Sequence, residues 1–97
     1  MADPVTVTLF VVKALVGHYL IGKAVDHAML NHWEQKYEDR SVFPDRRRKE
    51  ARRMKKVIEL LRSGAASEAR KELKEFSRDI ADVPEWAEVA EAISQLC

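Results

Sequence analysis

Cysteine, glycine and proline are scarce in this sequence, and each scarcity excludes a class of structure. The single cysteine, Cys97, allows no internal disulfide and no cysteine-based metal cluster. It fits a reducing compartment, so we expect a cytoplasmic location. Three glycines and three prolines are too few for the tight turns of an all-β fold. A chain of 97 residues with this composition is expected to be one all-α domain.

Charge is nearly balanced overall but unevenly distributed along the chain. The net charge is +1, which by itself predicts no polyanionic partner. From Arg46 to Lys56 there are eight basic residues and one acid, whereas residues 79–97 hold five acids and no Lys or Arg. The sequence therefore predicts a basic second helix and an acidic fourth helix.

Helix start and stop signals predict four helices. Asp3 is suited to cap a helix and Pro4 to occupy its first position, and this first helix continues to about residue 39. Three shorter amphipathic helices follow within residues 45–97, and their short connections make neighbours antiparallel. Residues 1–97 are thus predicted to form one domain, in which residues 1–40 are a long hydrophobic helix. The fold is either a four-helix antiparallel bundle or an array of helical hairpins.

The three shorter helices each carry a narrow apolar stripe at helical spacing. Ser63-Gly64 separates the first two of them, and Pro84 begins the last. The stripes are Ala51, Met54, Val57, Ile58 and Leu61; then Ala69, Leu73, Phe76 and Ile80; then Trp86, Val89, Ala90, Ile93 and Leu96.

The segment 60–73 resembles the turn between the two helices of a tetratricopeptide repeat (TPR). Gly64, Ala69 and Leu73 stand at the offsets of that repeat. The aromatic and small residues typical of its first helix are missing, and Pro84 comes about three residues late. The TPR-like resemblance implies local geometry only, namely two antiparallel helices that meet at residues 63–66.

The first helix differs in kind from the others, because 17 of the 26 residues from Val5 to Leu30 are hydrophobic and they point in nearly every direction. A helix that is apolar all round must be buried all round, and three short helices are poorly suited to enclose it. We therefore predict that another protein, either a second copy or a larger partner, covers it. The predicted interface residues are Val11, Leu15, His18, Tyr19, Gly22, Val25, Met29 and Trp33.

Lipid is one alternative cover for this helix, and ordinary packing against the chain's own helices is another. Lys13 interrupts the apolar run and Lys23 ends it, and a lysine at mid-membrane costs about 2.5–3.5 kcal/mol. A membrane-associated protein that inserts residues 5–30 therefore remains an open alternative.

The basic run is the second candidate site. Its cations could bind an acidic protein surface, anionic lipid headgroups or nucleic-acid phosphates, or simply face solvent. No aromatic residue is interleaved for stacking on bases. Cations at a helix N-terminus oppose the macrodipole, which hints that another factor selects them. The candidate anion-binding residues are Arg46, Arg47, Arg48, Lys49, Arg52, Arg53, Lys55 and Lys56.

Catalytic and metal-binding patterns are not apparent. His18, His27 and His32 are nine and five residues apart, so no pair has the i,i+4 spacing that places two imidazoles on one helix face. The serines and Cys97 form no nucleophile elbow or similar signature. We therefore expect no catalytic or metal site, no cofactor and no small-molecule substrate.

The sequence favours a non-enzymatic protein-interaction or oligomerisation module, in which the charged helices orient the partner. A nucleic-acid-binding accessory protein that uses residues 46–56 is the remaining alternative.

Overall fold

Five α-helices make up most of the part of the chain that the structure describes. The computed structural model describes residues 3–21 and 27–95, with side chains for residues 3–16 and 27–95. The helices are α1 (Pro4–Ile21), α2 (His27–Glu38), α3 (Arg48–Arg62), α4 (Ala66–Ile80) and α5 (Ala87–Ser94), with 3-10 turns at Asp45–Arg47 and Pro84–Trp86. The described residues contain no strand, which confirms the predicted all-α class.

Helix boundaries follow from local chemistry. The Asp3 carboxylate accepts a 2.7 Å hydrogen bond from the Thr6 amide, and this caps α1 as predicted. Gly64, between α3 and α4, has φ +82°, a left-handed conformation that glycine adopts without steric cost. Lys56 pairs with Glu72 at 3.3 Å and Arg53 pairs with Asp79, so α3 and α4 run antiparallel, as the sequence predicts.

The predicted first helix is two helices that fold back on each other. Tyr37 Oη in α2 donates a hydrogen bond to Thr8 Oγ1 in α1, and the distance between these oxygens is 3.2 Å. One straight helix would hold positions 29 residues apart about 43 Å from each other. The single helix expected over residues 1–40 is therefore corrected to α1 and α2, and the link between them lies outside the described residues.

The helices pack on one another in the order α1, α5, α4, α3, α2, and the seam between α1 and α2 is less closely packed than the others. In the described chain α1 packs on α5, α5 on α4, α4 on α3 and α3 on α2, whereas α1 and α2 approach each other less closely. All five helices contribute to one continuous hydrophobic core. Side chains rather than close helix packing therefore close the seam between α1 and α2.

Burial of α1 inside the chain departs from the sequence-based expectation. Val11, Val12 and Leu15 are at most 1% exposed, and Val16 is 6% exposed. Helix α5 packs on α1, and the hydrophobic core that these α1 side chains join also contains side chains of α2, α3 and α4. The apolar side chains of α1 at these positions therefore stabilise the fold itself.

The buried hydrogen bond between Tyr37 and Thr8 gives a test of the α1–α2 pairing. We expect Tyr37→Phe to lower the free energy of unfolding by about 1 kcal/mol. Thr8→Val should lower it by about 1–3 kcal/mol, because the buried Tyr37 hydroxyl then has no hydrogen-bond acceptor. The double variant should lose less than the sum of the two changes. Urea denaturation measures all three, and strictly additive losses would contradict a direct bond.

The same phenol makes stability depend on alkaline pH. Burial raises the pKa of Tyr37 above its ordinary value of 10.0. The folded state holds the phenol proton more tightly than the unfolded state does. The resulting contribution to the free energy of unfolding is fully present below pH 10 and is lost as the pH rises above that value. Unfolding free energy above pH 10 should therefore fall more steeply in the wild type than in Tyr37→Phe. Equal slopes in the two proteins would contradict this account.

Candidate interaction site

An open groove runs along the seam between α1 and α2. Its volume is about 280 Å³. The lining residues are Thr6, Val7, Phe10 and Val11 from α1 and His32, Trp33 and Lys36 from α2. We call this feature the Phe10 groove.

Phe10 lies at the edge of this groove and is 67% exposed, the only large hydrophobic side chain exposed among those the structure describes. Full burial of a phenylalanine side chain is worth roughly 1.5–3 kcal/mol. Its neighbours Val11 and Val12 are buried, so the exposure is specific to the face of α1 that points away from the core. A polar residue at position 10 would suit a purely structural helix better.

The predicted interface residues divide into three groups. Val11, Leu15 and Trp33 are at most 2% exposed and belong to the chain's own core, so a partner could reach only the small surface that Val11 and Trp33 present in the lining of the Phe10 groove. Met29 is partly buried and packs against the same core. The side chains of His18, Tyr19, Gly22 and Val25 lie outside the described residues.

Two arginines of the basic run connect α3 to the acidic C-terminal part of the chain. Arg47 pairs with Glu85 at 3.1 Å, and its guanidinium lies 5.9 Å from the centre of the Trp86 ring. Arg53 pairs with Asp79 and lies 5.3 Å from the centre of the Phe76 ring. The opposite charges seen in the sequence therefore meet within one molecule at these two places.

Three further cations of the run also contact groups of this chain. Lys55 pairs with Glu38 at 3.0 Å, and Lys56 pairs with Glu72. Arg48 donates from Nη1 to the Tyr37 carbonyl oxygen at 3.0 Å and from Nη2 to the Phe43 carbonyl oxygen. Arg48 thus binds the unpaired carbonyl end of α2, where the helix dipole favours a cation.

Arg46, Lys49 and Arg52 are the remaining members of the predicted anion-binding set. All three are exposed, and within the described chain no carboxylate pairs with them. Arg52 Nε donates to the Arg48 carbonyl oxygen at 3.3 Å. The run is therefore not one open basic face, and these three side chains are what it offers to an anionic partner.

Arg48 and Arg46 form a matched pair for testing this division of the basic run. We expect Arg48→Met to lower the free energy of unfolding by about 2–3 kcal/mol, because two carbonyl oxygens lose a charged donor. Arg46→Met removes the same charge from an exposed site and should change stability by less than about 0.5 kcal/mol. Chemical denaturation of both variants measures the difference, and equal losses would contradict the role assigned to Arg48.

Metal ligands do not cluster in the described residues. His27 and His32 are exposed, and no group of three or more His, Cys, Asp or Glu in the described ranges could hold a metal ion. None of the helices in that part of the chain combines the length and apolar character that crossing a bilayer requires.

In comparisons with known proteins, no family model, no curated protein and no solved structure matches this chain.

Proposed function

We propose that this chain is a non-enzymatic protein-interaction module that binds a partner protein at the Phe10 groove. The observation that carries the proposal is the 67% exposure of Phe10 beside a groove lined by Val7, Val11 and Trp33. Large aromatic side chains seated in apolar pockets contribute most of the affinity of many protein interfaces. An exposed phenylalanine next to such a pocket supports binding of a partner's apolar side chain.

The charged helices support a different role from the one first expected of them. Arg47 and Arg53 pair with Glu85 and Asp79 of the same chain, which supports a role in holding α3 against the C-terminal part. Only three exposed cations of the run, Arg46, Lys49 and Arg52, have no carboxylate partner among the described residues and would be open to a polyanion. Lipid insertion of residues 5–30 would require Val12 and Leu15 to leave a core in which they are fully buried. These observations favour the Phe10 groove over the nucleic-acid and membrane alternatives.

A neutral helical peptide provides the probe that tests the proposal. It carries Leu or Phe at positions i, i+3, i+4 and i+7, with Gln at the remaining positions. On ¹⁵N-labelled protein we expect the peptide to shift the amide resonances of Val7, Phe10, His32 and Lys36. Phe10→Gln should weaken binding about tenfold or more, the loss that follows from at least 1.4 kcal/mol of apolar burial.

Phe10→Leu is the matched control, because it keeps an apolar side chain at the same exposed position. It should retain most of the affinity. Position 10 is exposed, so both variants should keep the wild-type free energy of unfolding within about 0.5 kcal/mol. Absence of any shift at the groove, or equal binding by Phe10→Gln and the wild type, would overturn the proposed function.

A further inference from the structure

We propose that the segment bound at the Phe10 groove is a short, acidic amphipathic helix, which places a carboxylate on the Lys36 ammonium group. This inference rests on the proposed function and specifies the partner's chemistry.

The size of the groove favours a short segment over a second copy of the chain. Stable complexes of two folded proteins bury about 1,200–2,000 Å². Here one exposed phenylalanine and a cavity of about 280 Å³ provide room for only a few apolar side chains. The seam runs between two helices, and α2 is 12 residues long, or about 18 Å. A helix of three to four turns laid along the seam matches these dimensions.

The charge of the groove favours carboxylates on that segment. Lys36 is partly buried, His32 is exposed, and no carboxylate is among the lining residues. Asp39 lies near Lys36, but its Oδ1 accepts hydrogen bonds from the Ser41 hydroxyl at 2.6 Å and the Ser41 amide at 2.9 Å. These bonds are the main cause that lowers the pKa of Asp39, and Lys36 adds a smaller effect. In a symmetric dimer the same patch faces itself, so two Lys36 ammonium groups would repel each other across this small contact.

Three peptides of about 14 residues, roughly 21 Å long as helices, test the charge preference. They share the apolar positions of the neutral probe and differ only in carrying Glu, Gln or Lys elsewhere. Titrated into ¹⁵N-labelled protein at low salt, the Glu peptide should bind about tenfold more tightly than the Lys peptide, with the Gln peptide between them. This preference should shrink as salt is added, because the charges at the groove are partly exposed.

Lys36→Glu should reverse the order, so that the Lys peptide binds most tightly. Lys71→Glu is the matched control: it makes the same change of net charge at an exposed position of α4 and should leave the order unchanged. Lys36→Gln provides a second variant should the reversed charge at the end of α2 destabilise the fold. It should bring the affinities of the three peptides together within about twofold.

Each outcome separates this inference from the proposed function. Equal affinity of the three peptides at the groove overturns the acidic partner but leaves the interaction module intact. No binding by any peptide up to about 1 mM overturns both. If the same groove resonances shift when the protein alone is concentrated a hundredfold, the occupant is a second copy, and the acidic partner is wrong.

Discussion

Leu15→Asp is expected to unfold the chain rather than to dissociate an oligomer. Leu15 is fully buried in α1, with Val11, Val12 and Val16 of the same helix also in the core. An aspartate there removes the apolar side chain and places a carboxylate in a site that offers no described charged partner. The combined cost is about 4 kcal/mol or more, which is comparable to the stability at the lower end of the 5–15 kcal/mol range typical of domains, where small domains such as this one are expected.

Circular dichroism and urea denaturation measure this effect. The matched control is Leu15→Met, which keeps the volume and apolar character and should cost less than about 1.5 kcal/mol. A Leu15→Asp protein that stays helical with an unchanged midpoint but a lower mass would show that α1 is buried between molecules. That result would contradict the internal packing of α1 described above.

Trp86→Ala is the second change with a large expected effect, at about 3–5 kcal/mol. Trp86 is 1% exposed, packs edge-on against Phe76 with 6.1 Å between ring centres, and lies under the Arg47 guanidinium. Its ring therefore joins the turn before α3, helix α4 and the turn before α5 at one point. Removing the ring leaves a cavity at this junction and frees Arg47 from one of its contacts.

Trp86→Phe separates the volume of the ring from its polar atom. Trp86 Nε1 has no hydrogen-bond partner among the described residues, so the phenylalanine variant loses ring volume and little else. We expect it to cost about 1–2 kcal/mol by thermal or urea unfolding. A loss in Trp86→Phe as large as that in Trp86→Ala would indicate that the indole nitrogen, rather than packing, stabilises the junction.

The C-terminal half of the fold could be predicted because its helices are amphipathic. All four stripe residues of α4, from Ala69 to Ile80, are buried. In α3 the stripe from Ala51 to Ile58 is buried, and only Leu61 is partly exposed. A narrow apolar stripe leaves one way to pack a helix, so periodicity identifies the buried face.

The face that α1 buries could not be predicted, because a helix that is apolar all round has no preferred side. Phe10 is exposed, whereas Thr8 is fully buried as the partner of Tyr37. Local hydrophobicity would place these two residues the other way round. The fold-back between α1 and α2 decides their positions, and that contact spans 29 residues. The candidate groove was missed for the same reason.

The basic run shows how tertiary contacts account for a locally unfavourable pattern. Cations near the start of α3 oppose its own macrodipole, and the sequence offers no reason for them. In the structure Arg48 donates a hydrogen bond to a carbonyl oxygen at the C-terminal end of α2, and Arg47 forms an ion pair with Glu85. Charge pattern alone could suggest pairing with the acidic C-terminal part, but not which of the eight cations would pair.

The most direct measurement of the central claim is a side-by-side titration of wild-type and Phe10→Gln protein with the Glu peptide, followed by ¹H–¹⁵N correlation spectra. The account predicts that wild-type resonances of Val7, Phe10, His32 and Lys36 shift and saturate, while the Phe10→Gln protein, equally folded, needs about tenfold more peptide. Saturating shifts of equal affinity in both proteins, or shifts confined to another face, would contradict binding at the Phe10 groove.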